Sequence, residues 1–207
     1  MDPQNPGTLY ARVPNHALYK STDGGASWNV IFGQKEKAGF GDEPCYDSMA
    51  IDPRNPGTLY VGTCRVGSGL SMSTDGGQTW SSLMVHPNYD FAALTIDPQN
   101  SGTVYAADLN SVLKTTDGGK NWRTFGPGLP YPDDIRSIAV DPRNSSVVYA
   151  ASDKGVFRSA NGGASWSPFS AGLTNPYVQT LLIDPRNPDT VYAGTFDGGV
   201  FAMTVPR

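Results

Sequence analysis

The chain has 207 residues, which is long enough for one domain with a substantial buried core. Its 24 glycines and 17 prolines are spread evenly rather than in tracts, which excludes a collagen-like chain and a low-complexity disordered one. The formal net charge of -4 and the lack of a basic stripe argue against a nucleic-acid partner. No apolar run approaches the roughly 20 residues of a membrane-spanning helix.

The first repeated element is a turn of the form Asp-Pro-(Gln or Arg)-Asn, which begins at positions 2, 52, 97, 141 and 184. Proline sets the backbone for the second turn position, and the Asp carboxylate can accept backbone amides further on. A short apolar run precedes every copy but the first, and a run rich in β-branched residues and tyrosine follows each copy. The preceding runs are 48–51, 93–96, 137–140 and 180–183, and the following runs are 8–11, 58–61, 103–106, 147–150 and 190–193. This pattern predicts β-hairpins.

The second repeated element is an octapeptide that ends in tryptophan and lies between a third and a fourth short strand. Its copies are STDGGASW (21–28), STDGGQTW (73–80), TTDGGKNW (115–122) and SANGGASW (159–166). We name the strands of one repeat A, B, C and D, so that the Asp-Pro turn joins A to B and the octapeptide joins C to D. The chain then reads BCD, ABCD, ABCD, ABCD, ABC. Four short strands in each repeat of about 44 residues predict an all-β fold, a β-propeller of about five four-stranded antiparallel blades with incomplete first and last blades. We expect residues 1–207 to form a single domain.

The octapeptide has a mechanical interpretation. Its two glycines suit positive backbone φ values, its Asp can accept amide hydrogen bonds from its own turn, and its Trp can bury a large face while the indole N–H finds an acceptor. The fourth copy has Asn161, which can serve a turn but not acid–base chemistry. We therefore assign a structural role to the following residues: Asp23, Trp28, Asp75, Trp80, Asp117, Trp122, Asn161 and Trp166.

This octapeptide resembles the Asp box, also called the bacterial neuraminidase repeat (BNR), and the resemblance covers essentially the whole chain. It implies the β-propeller fold of sialidases, xyloglucan-cleaving glycosidases, sortilin-type receptors and photosystem assembly factors. It also implies that the boxes are structural and lie at the rim, away from the ligand face. Five blades would be few for this family, so we expect either tight closure or completion of the open propeller by a homo-oligomer.

The candidate ligand site lies on the edge that carries the D-to-A and B-to-C loops, opposite the Asp-Pro turns. Each D-to-A loop ends in or near a tyrosine, and acids flank three of these tyrosines. The candidate residues are Tyr46, Asp47, Tyr89, Asp90, Tyr131, Asp133, Asp134 and Tyr177. Aromatic rings with nearby acids suit stacking on a sugar or capture of a peptide, so a carbohydrate or a protein is the expected ligand. The alternative is that these tyrosines pack the blade edges.

The sequence favours a chain without catalysis, and glycoside hydrolase is the enzyme class indicated if it has one. A sialidase would need an arginine cluster and a Tyr–Glu pair, but Arg54, Arg143 and Arg186 lie in the Asp-Pro turns and the only glutamates are Glu36 and Glu43. Glycosidases need two carboxylates flanking the substrate, and no family motif surrounds the candidate acids. His16 and His86 form no metal-binding pattern with the cysteines, so we expect no metal and no cofactor.

Three functions therefore stay open: a binding or scaffolding module without catalysis, a glycosidase-type propeller or a fragment of one, and a structural repeat protein that assembles through open blade edges.

The two cysteines, Cys45 and Cys64, are predicted to face each other. If Ile51 lies opposite Thr58 in the hairpin of the second repeat, counting outward pairs Ala50 with Leu59 and Cys45 with Cys64. Such a pair could form a disulfide, which together with the family resemblance favours a secreted or periplasmic protein. The first five residues lack the features of a signal peptide, so the localisation stays open.

Overall fold

The computed structural model describes residues 1–13, 17–33, 45–64, 69–83, 91–107, 111–125, 129 and 135–205, with the backbone alone described at 45–47 and 63–64. Eighteen strands form in this part of the chain, which contains no helix. Accordingly, none of the described residues belongs to a helix that could cross a membrane.

The strands form five antiparallel sheets, in which each strand pairs with its neighbours in sequence. We call these sheets blades 1 to 5. Blade 1 contains β1 (Leu9–Val13), β2 (Ala17–Ser21) and β3 (Asn29–Gly33). Blade 2 contains β4 (Cys45–Ile51), β5 (Leu59–Cys64), β6 (Leu70–Ser73) and β7 (Ser81–Ser82). Blade 3 contains β8 (Ala93–Asp97), β9 (Asn100–Ala107), β10 (Val112–Thr115) and β11 (Arg123–Phe125). Blade 4 contains β12 (Ser137–Asp141), β13 (Asn144–Ser152), β14 (Gly155–Ser159) and β15 (Ser167–Pro168). Blade 5 contains β16 (Val178–Ile183), β17 (Thr190–Thr195) and β18 (Val200–Thr204).

The strand content confirms the predicted fold class. The first and last sheets have three strands and the other three have four, as the reading BCD, ABCD, ABCD, ABCD, ABC requires. The chain divides into two compact units, Met1–Phe91 with blades 1 and 2 and Ala92–Arg207 with blades 3 to 5. That the whole chain forms one domain stays a prediction.

The core of the second unit lies between consecutive blades. Side chains along β13 alternate between the two faces of blade 4, as strand geometry requires. Val148 and Ala150 pack towards blade 3 with Trp166 and Tyr105. Their neighbours Tyr149 and Ala151 pack towards blade 5, against residues such as Val191 and Ala193. Blade 4 is thus buried on both faces.

In the first unit, the contact between blades 1 and 2 contains Leu18, Val61, Ile31, Phe32, Met49 and Trp80. The ring centroids of Phe32 and Trp80 are 4.5 Å apart. The Trp80 indole N–H donates to the Ile31 carbonyl at 2.8 Å, so the box of blade 2 also contacts the last strand of blade 1 through a hydrogen bond.

The residue after the Asn of each Asp-Pro turn determines where the B strand begins. In blades 1, 2 and 5 a proline follows the turn Asn (Pro6, Pro56 and Pro188), and the B strand begins only at Leu9, Leu59 or Thr190. Proline lacks an N–H and cannot pair in a ladder. In blades 3 and 4 serine takes this position, and β9 and β13 already begin at Asn100 and Asn144. The predicted strand starts at 103 and 147 were therefore too late.

The hairpin of blade 2 pairs Cys45 with Cys64 and Tyr46 with Thr63, as predicted. The predicted pairings nearer the turn were wrong by one residue, since Ile51 lies opposite Leu59 and Ala50 opposite Tyr60. A register shift between Tyr46 and Ser48 leaves Asp47 unpaired. Because this shift offsets the one-residue difference at the turn, the predicted pairings at Cys45 and Tyr46 are correct. A bulge of this kind inserts one extra residue into a single strand. Formation of a disulfide stays a prediction.

Candidate functional site

The box of blade 2 shows how the octapeptide uses its acid. The Asp75 carboxylate accepts the backbone N–H groups of Gln78 and Thr79, each at 2.9 Å, and the Thr79 hydroxyl at 2.5 Å. The Ser73 hydroxyl donates to Asp75 at 2.8 Å and accepts the Gly77 N–H at 2.9 Å. Gly76 and Gly77 have φ values of 73° and 93°, which favour glycine.

These hydrogen bonds lower the carboxylate pKa in each box that carries Asp. The Thr79 hydroxyl is the largest cause at Asp75, and the Ser27 hydroxyl holds the same place at Asp23. At Asp117 the Asn121 side chain contributes most and the pKa falls to about 2. An acid with such a low pKa stays ionised at neutral pH and is a poor proton donor.

Asn161 makes the same turn with an amide. Its side-chain oxygen accepts the Ser165 N–H at 2.9 Å and the Ser159 hydroxyl at 2.9 Å, and its amide donates to the Ser165 hydroxyl at 2.8 Å. The hydroxyl in the seventh position of the octapeptide donates to Asp in the boxes of blades 1 and 2 and accepts from Asn161 in that of blade 4. We therefore propose that the boxes hold turns and carry no chemistry.

Protonation of the Asp carboxylates in the boxes should lower the stability of the fold at acid pH. The Asp117 pKa lies at about 2 in the folded chain against an ordinary 3.8, so its stabilising effect is present above 3.8 and is lost as pH falls towards 2. We expect Asp117→Asn to have a shallower dependence of its urea midpoint on pH in this window, and Asn161→Asp to have a steeper one. Unchanged slopes in both variants would contradict the assignment.

Each box is also joined to the Asp-Pro side of its own blade. Its first glycine donates its N–H to a carbonyl in the A–B turn or at the start of the B strand, which places both turns at one edge of the blade. These pairs are Gly24 to Gly7 at 2.9 Å, Gly76 to Gly57 at 2.8 Å, Gly118 to Gly102 at 3.0 Å and Gly162 to Ser146 at 2.8 Å.

The boxes of blades 2 and 4 also accept side chains from the preceding blade. The Lys20 ammonium donates to the Gly76 carbonyl at 2.9 Å, and the Lys114 ammonium does the same at Gly162, at 2.9 Å. The Tyr105 hydroxyl donates to the Gly162 carbonyl at 3.1 Å. The boxes therefore stabilise the contact between successive blades.

The box tryptophans differ in how their N–H groups are paired. Trp28, Trp80 and Trp122 each donate to the carbonyl of the box's second glycine. Trp166 is 6% exposed, and its indole nitrogen has no hydrogen-bond partner within the described part of the chain. The expectation of an acceptor thus holds for three of the four tryptophans and is wrong for Trp166.

Removing the first hydroxyl of a box should destabilise the fold measurably. Ser73 is 2% exposed, and Ser73→Ala would leave the buried Gly77 N–H without its acceptor. We expect a loss of roughly 1–2 kcal/mol in the free energy of unfolding, measured by urea denaturation. Ser73→Thr is the matched control, because Thr115 makes the same two bonds in blade 3. A loss in the Thr variant as large as in the Ala variant would show that the hydroxyl is not the cause.

The candidate ligand residues were expected at the opposite edge of the blades. Tyr46 and Asp47 lie at the start of β4, at the register shift, where the backbone alone is described. Tyr89, Asp90, Tyr131, Asp133 and Asp134 lie outside the described residues. Tyr177 directly precedes β16 and is 47% exposed.

Tyr177 has an aromatic neighbour that the sequence reasoning missed. Phe196, in the B–C loop of blade 5, is 75% exposed and donates its backbone N–H to the Tyr177 carbonyl at 3.0 Å. Residues placed opposite each other on antiparallel strands have their Cβ atoms about 5 Å apart. The two loops thus bring two exposed aromatic residues together at one edge of blade 5. Including the B–C loops in the search, with the sequence Phe196-Asp197-Gly198-Gly199, would have found this residue.

Two polar side chains lie in the same loops as this aromatic pair. The Asn175 amide donates to the Asp197 carboxylate, and the Asn175 oxygen accepts the Tyr177 N–H at 2.9 Å. Gly198 lets the loops approach, since a Cβ there would lie 2.9 Å from the Asn175 Cβ. We call Asn175, Tyr177, Phe196 and Asp197 the blade-5 platform. Among the described residues no group of three or more His, Cys, Asp or Glu side chains could hold a metal ion.

Comparison with known proteins identifies the repeat. The BNR/Asp-box repeat family model matches residues 72–82, which include the whole octapeptide of blade 2. The chain therefore contains an Asp-box repeat at these residues.

The curated relatives of this chain include proteins named as xyloglucanases. A probable oligoxyloglucan-reducing end-specific xyloglucanase of Neosartorya fischeri is 32% identical over 148 residues, which cover 63% of the chain and 17% of the enzyme. A xyloglucanase of Acetivibrio thermocellus is 32% identical over 164 residues, which cover 62% of the chain and 19% of the enzyme. The chain therefore matches less than a fifth of the length of either enzyme.

Solved structures extend the likeness to nearly the whole chain. The GH74 xyloglucanase of Xanthomonas campestris has a TM-score of 0.78 at 20% identity, covering 99% of this chain and 36% of that one. The GH74 enzyme of Niastella koreensis has a TM-score of 0.79 at 18% identity, covering 99% and 35%. At such identities the likeness shows a shared fold and nothing further.

Proposed function

We propose that this chain binds a β-glucan-type polysaccharide, with xyloglucan as the first candidate, at the loop edge that carries the blade-5 platform. The observation that carries the proposal is the exposed Tyr177–Phe196 pair, at the edge of blade 5 opposite its own Asp-Pro turn. The names of the curated relatives, which are xyloglucanases, support the choice of ligand.

The chemistry of the platform suits a sugar chain. A pyranose ring presents C–H groups on its faces, which pack on an aromatic ring, while its hydroxyls need donors and acceptors around the edge. Asn175 and Asp197 supply an amide and a carboxylate in the same two loops as these aromatic residues. A small number of placed polar groups beside aromatic surface is typical of ligand sites.

The proposal predicts selective loss of binding in platform variants. We expect Tyr177→Ala and Phe196→Ala each to weaken xyloglucan binding about tenfold, and Tyr177→Phe to retain it because the stacking ring remains. Affinity electrophoresis in gels containing xyloglucan, with cellulose and mannan derivatives alongside, measures the effect.

The matched control is a substitution in an Asp box. Asp23→Asn changes a box that an amide can serve, as Asn161 shows, and should leave binding intact at neutral pH. Equal retardation of wild type and both alanine variants would refute the assignment of the platform, and no retardation of the wild type on any polysaccharide would refute binding itself.

A second function, glycoside hydrolysis, is favoured by the relatives' names alone. We propose Asp47, Asp90, Asp133 and Asp134 as the candidate acids, because two carboxylates must flank a scissile glycosidic bond. Release of reducing ends from xyloglucan, abolished by Asp47→Asn or Asp90→Asn with the fold intact, would establish it. A wild-type chain that binds the polysaccharide but does not hydrolyse it would contradict hydrolysis and support binding.

A further inference from the structure

The face of blade 5 turned away from blade 4 exposes apolar side chains. Leu182, Tyr192 and Ala202 lie opposite one another across the three strands, with Val200 two residues along on the same face. Leu182 is 61% exposed and Val200 is 74% exposed, and Ala202 is also exposed. Contiguous apolar exposure of this kind marks an interaction surface. We call these residues the outer face of blade 5.

The corresponding faces of blades 3 and 4 are covered. Tyr105 and Tyr149 occupy the position of Tyr192 in their own B strands and are 0% and 1% exposed. The Tyr105 hydroxyl donates to the Gly162 carbonyl in the box of blade 4, while Tyr149 packs with blade 5. In the second unit, this face of blades 3 and 4 is therefore covered by the next blade of the repeat.

The chain also has an exposed surface of the complementary kind. On blade 4, the face that covers blade 3 consists of Val148, Ala150, Phe157 and Trp166, all buried. The equivalent residues of blade 1 are Leu9, Ala11, Tyr19 and Trp28, none of them buried. Trp28 is 41% exposed, against 6% for Trp166.

The second box glycine shows the same contrast. A Cβ on Gly77 would lie 2.7 Å from Ile31 of the preceding blade, and one on Gly163 would lie 3.4 Å from Tyr105 of the preceding blade. A Cβ on Gly25 would contact only Leu9 and Trp28 of its own blade among the described residues. The box of blade 1 thus lacks the neighbour that the boxes of blades 2 and 4 have.

We propose that the outer face of blade 5 binds blade 1 of a second copy of this chain, head to tail. The contact would repeat the one between blades 3 and 4, with Trp28 against Leu182 and Val200. The Tyr192 hydroxyl would donate to the Gly24 carbonyl of the second copy, as Tyr105 does to Gly162. Different surfaces meet in such a contact, so two or more copies associate in a ring or an open chain.

The experiment is sedimentation velocity of the full chain over a range of concentrations. We expect the wild type to associate, and Trp28→Ala and Leu182→Glu each to stay largely monomeric with unchanged circular dichroism, because both side chains are exposed. Val200→Glu is a second variant of the same face, should Leu182→Glu alter folding.

Mixing the two variants distinguishes this contact from other modes of association. Each variant keeps one intact face, so an equimolar mixture of Trp28→Ala and Leu182→Glu should form a one-to-one dimer that neither forms alone. A monomeric wild type, association that survives both substitutions, or a mixture that stays monomeric would each overturn the proposal. Loss of glycan binding would not affect it, because the blade-5 platform is a separate surface.

Discussion

Trp166→Ala should lower the free energy of unfolding by about 3–5 kcal/mol, the range for deleting a large aromatic side chain from a core. Trp166 is 6% exposed and packs with Tyr105, Phe157 and Val148 between blades 3 and 4. The surrounding side chains cannot refill that volume, since packed interiors relax only in part.

Trp28→Ala is the matched control for this substitution, because it deletes the same side chain from the same octapeptide at 41% exposure. Its effect on a monomeric sample should be clearly smaller. Urea unfolding followed by circular dichroism measures both losses. Equal losses would contradict the claim that the box tryptophan acts by filling the space between blades.

The indole nitrogen allows a finer comparison between two boxes. Trp80→Phe removes a donor that bonds Ile31 at 2.8 Å and Gly77 at 3.2 Å, whereas Trp166→Phe removes one without a partner in the described part of the chain. Part of the packing loss at Trp166 is therefore offset by relief of an unsatisfied polar group, which costs roughly 1–3 kcal/mol when buried. We expect the Phe substitution to be less harmful at 166 than at 80.

Gly62→Ala should destabilise the first unit by about 3 kcal/mol, at the upper end of the range for overpacking. A Cβ at this position of β5 would lie 2.7 Å from the Phe91 Cβ and 2.8 Å from its carbonyl oxygen, and closer still to the Ser48 hydroxyl. It would also disturb the buried hydrogen bond from the Ser48 hydroxyl to the Phe91 carbonyl at 2.5 Å.

Two further variants test this explanation. Gly7→Ala has no contact shorter than 3.5 Å and should change the unfolding midpoint little. Ser48→Ala removes the closest atom, so the double variant should be more stable than the sum of the single losses predicts, as expected for residues in contact. Strict additivity would show that the clash is not what destabilises Gly62→Ala.

The repeat made the fold predictable from sequence. Turn residues and strand runs recur in phase, so both three-stranded sheets and the edge shared by Asp boxes and Asp-Pro turns could be predicted. The exact register of β4 and β5 could not, because neither the pairing of Ile51 with Leu59 at the turn nor the bulge at Asp47 has a signature in a run of strand-forming residues. The early start of β9 and β13 was readable in principle, since Ser101 and Ser145 replace a proline.

The candidate site was less predictable than the fold, for a physical reason. Tyr177 was found because it recurs near the start of an A strand, but Phe196, Asn175 and Asp197 lie in loops whose residues the repeat does not dictate. Their proximity follows from the pairing of β16 with β17, which joins residues about 20 positions apart. The Asp carboxylates of the octapeptide accept hydrogen bonds from backbone N–H groups of their own turns.

The central claim is that the boxes hold the blades while ligand binding occurs at the opposite edge. It is tested most directly by titrating the ¹⁵N-labelled chain with a xyloglucan oligosaccharide and recording amide shifts. The account predicts the largest changes at Tyr177, Phe196 and their loop neighbours, with Gly24, Gly76, Gly118 and Gly162 unmoved. Shifts centred on those box glycines, or no shifts at all, would contradict it.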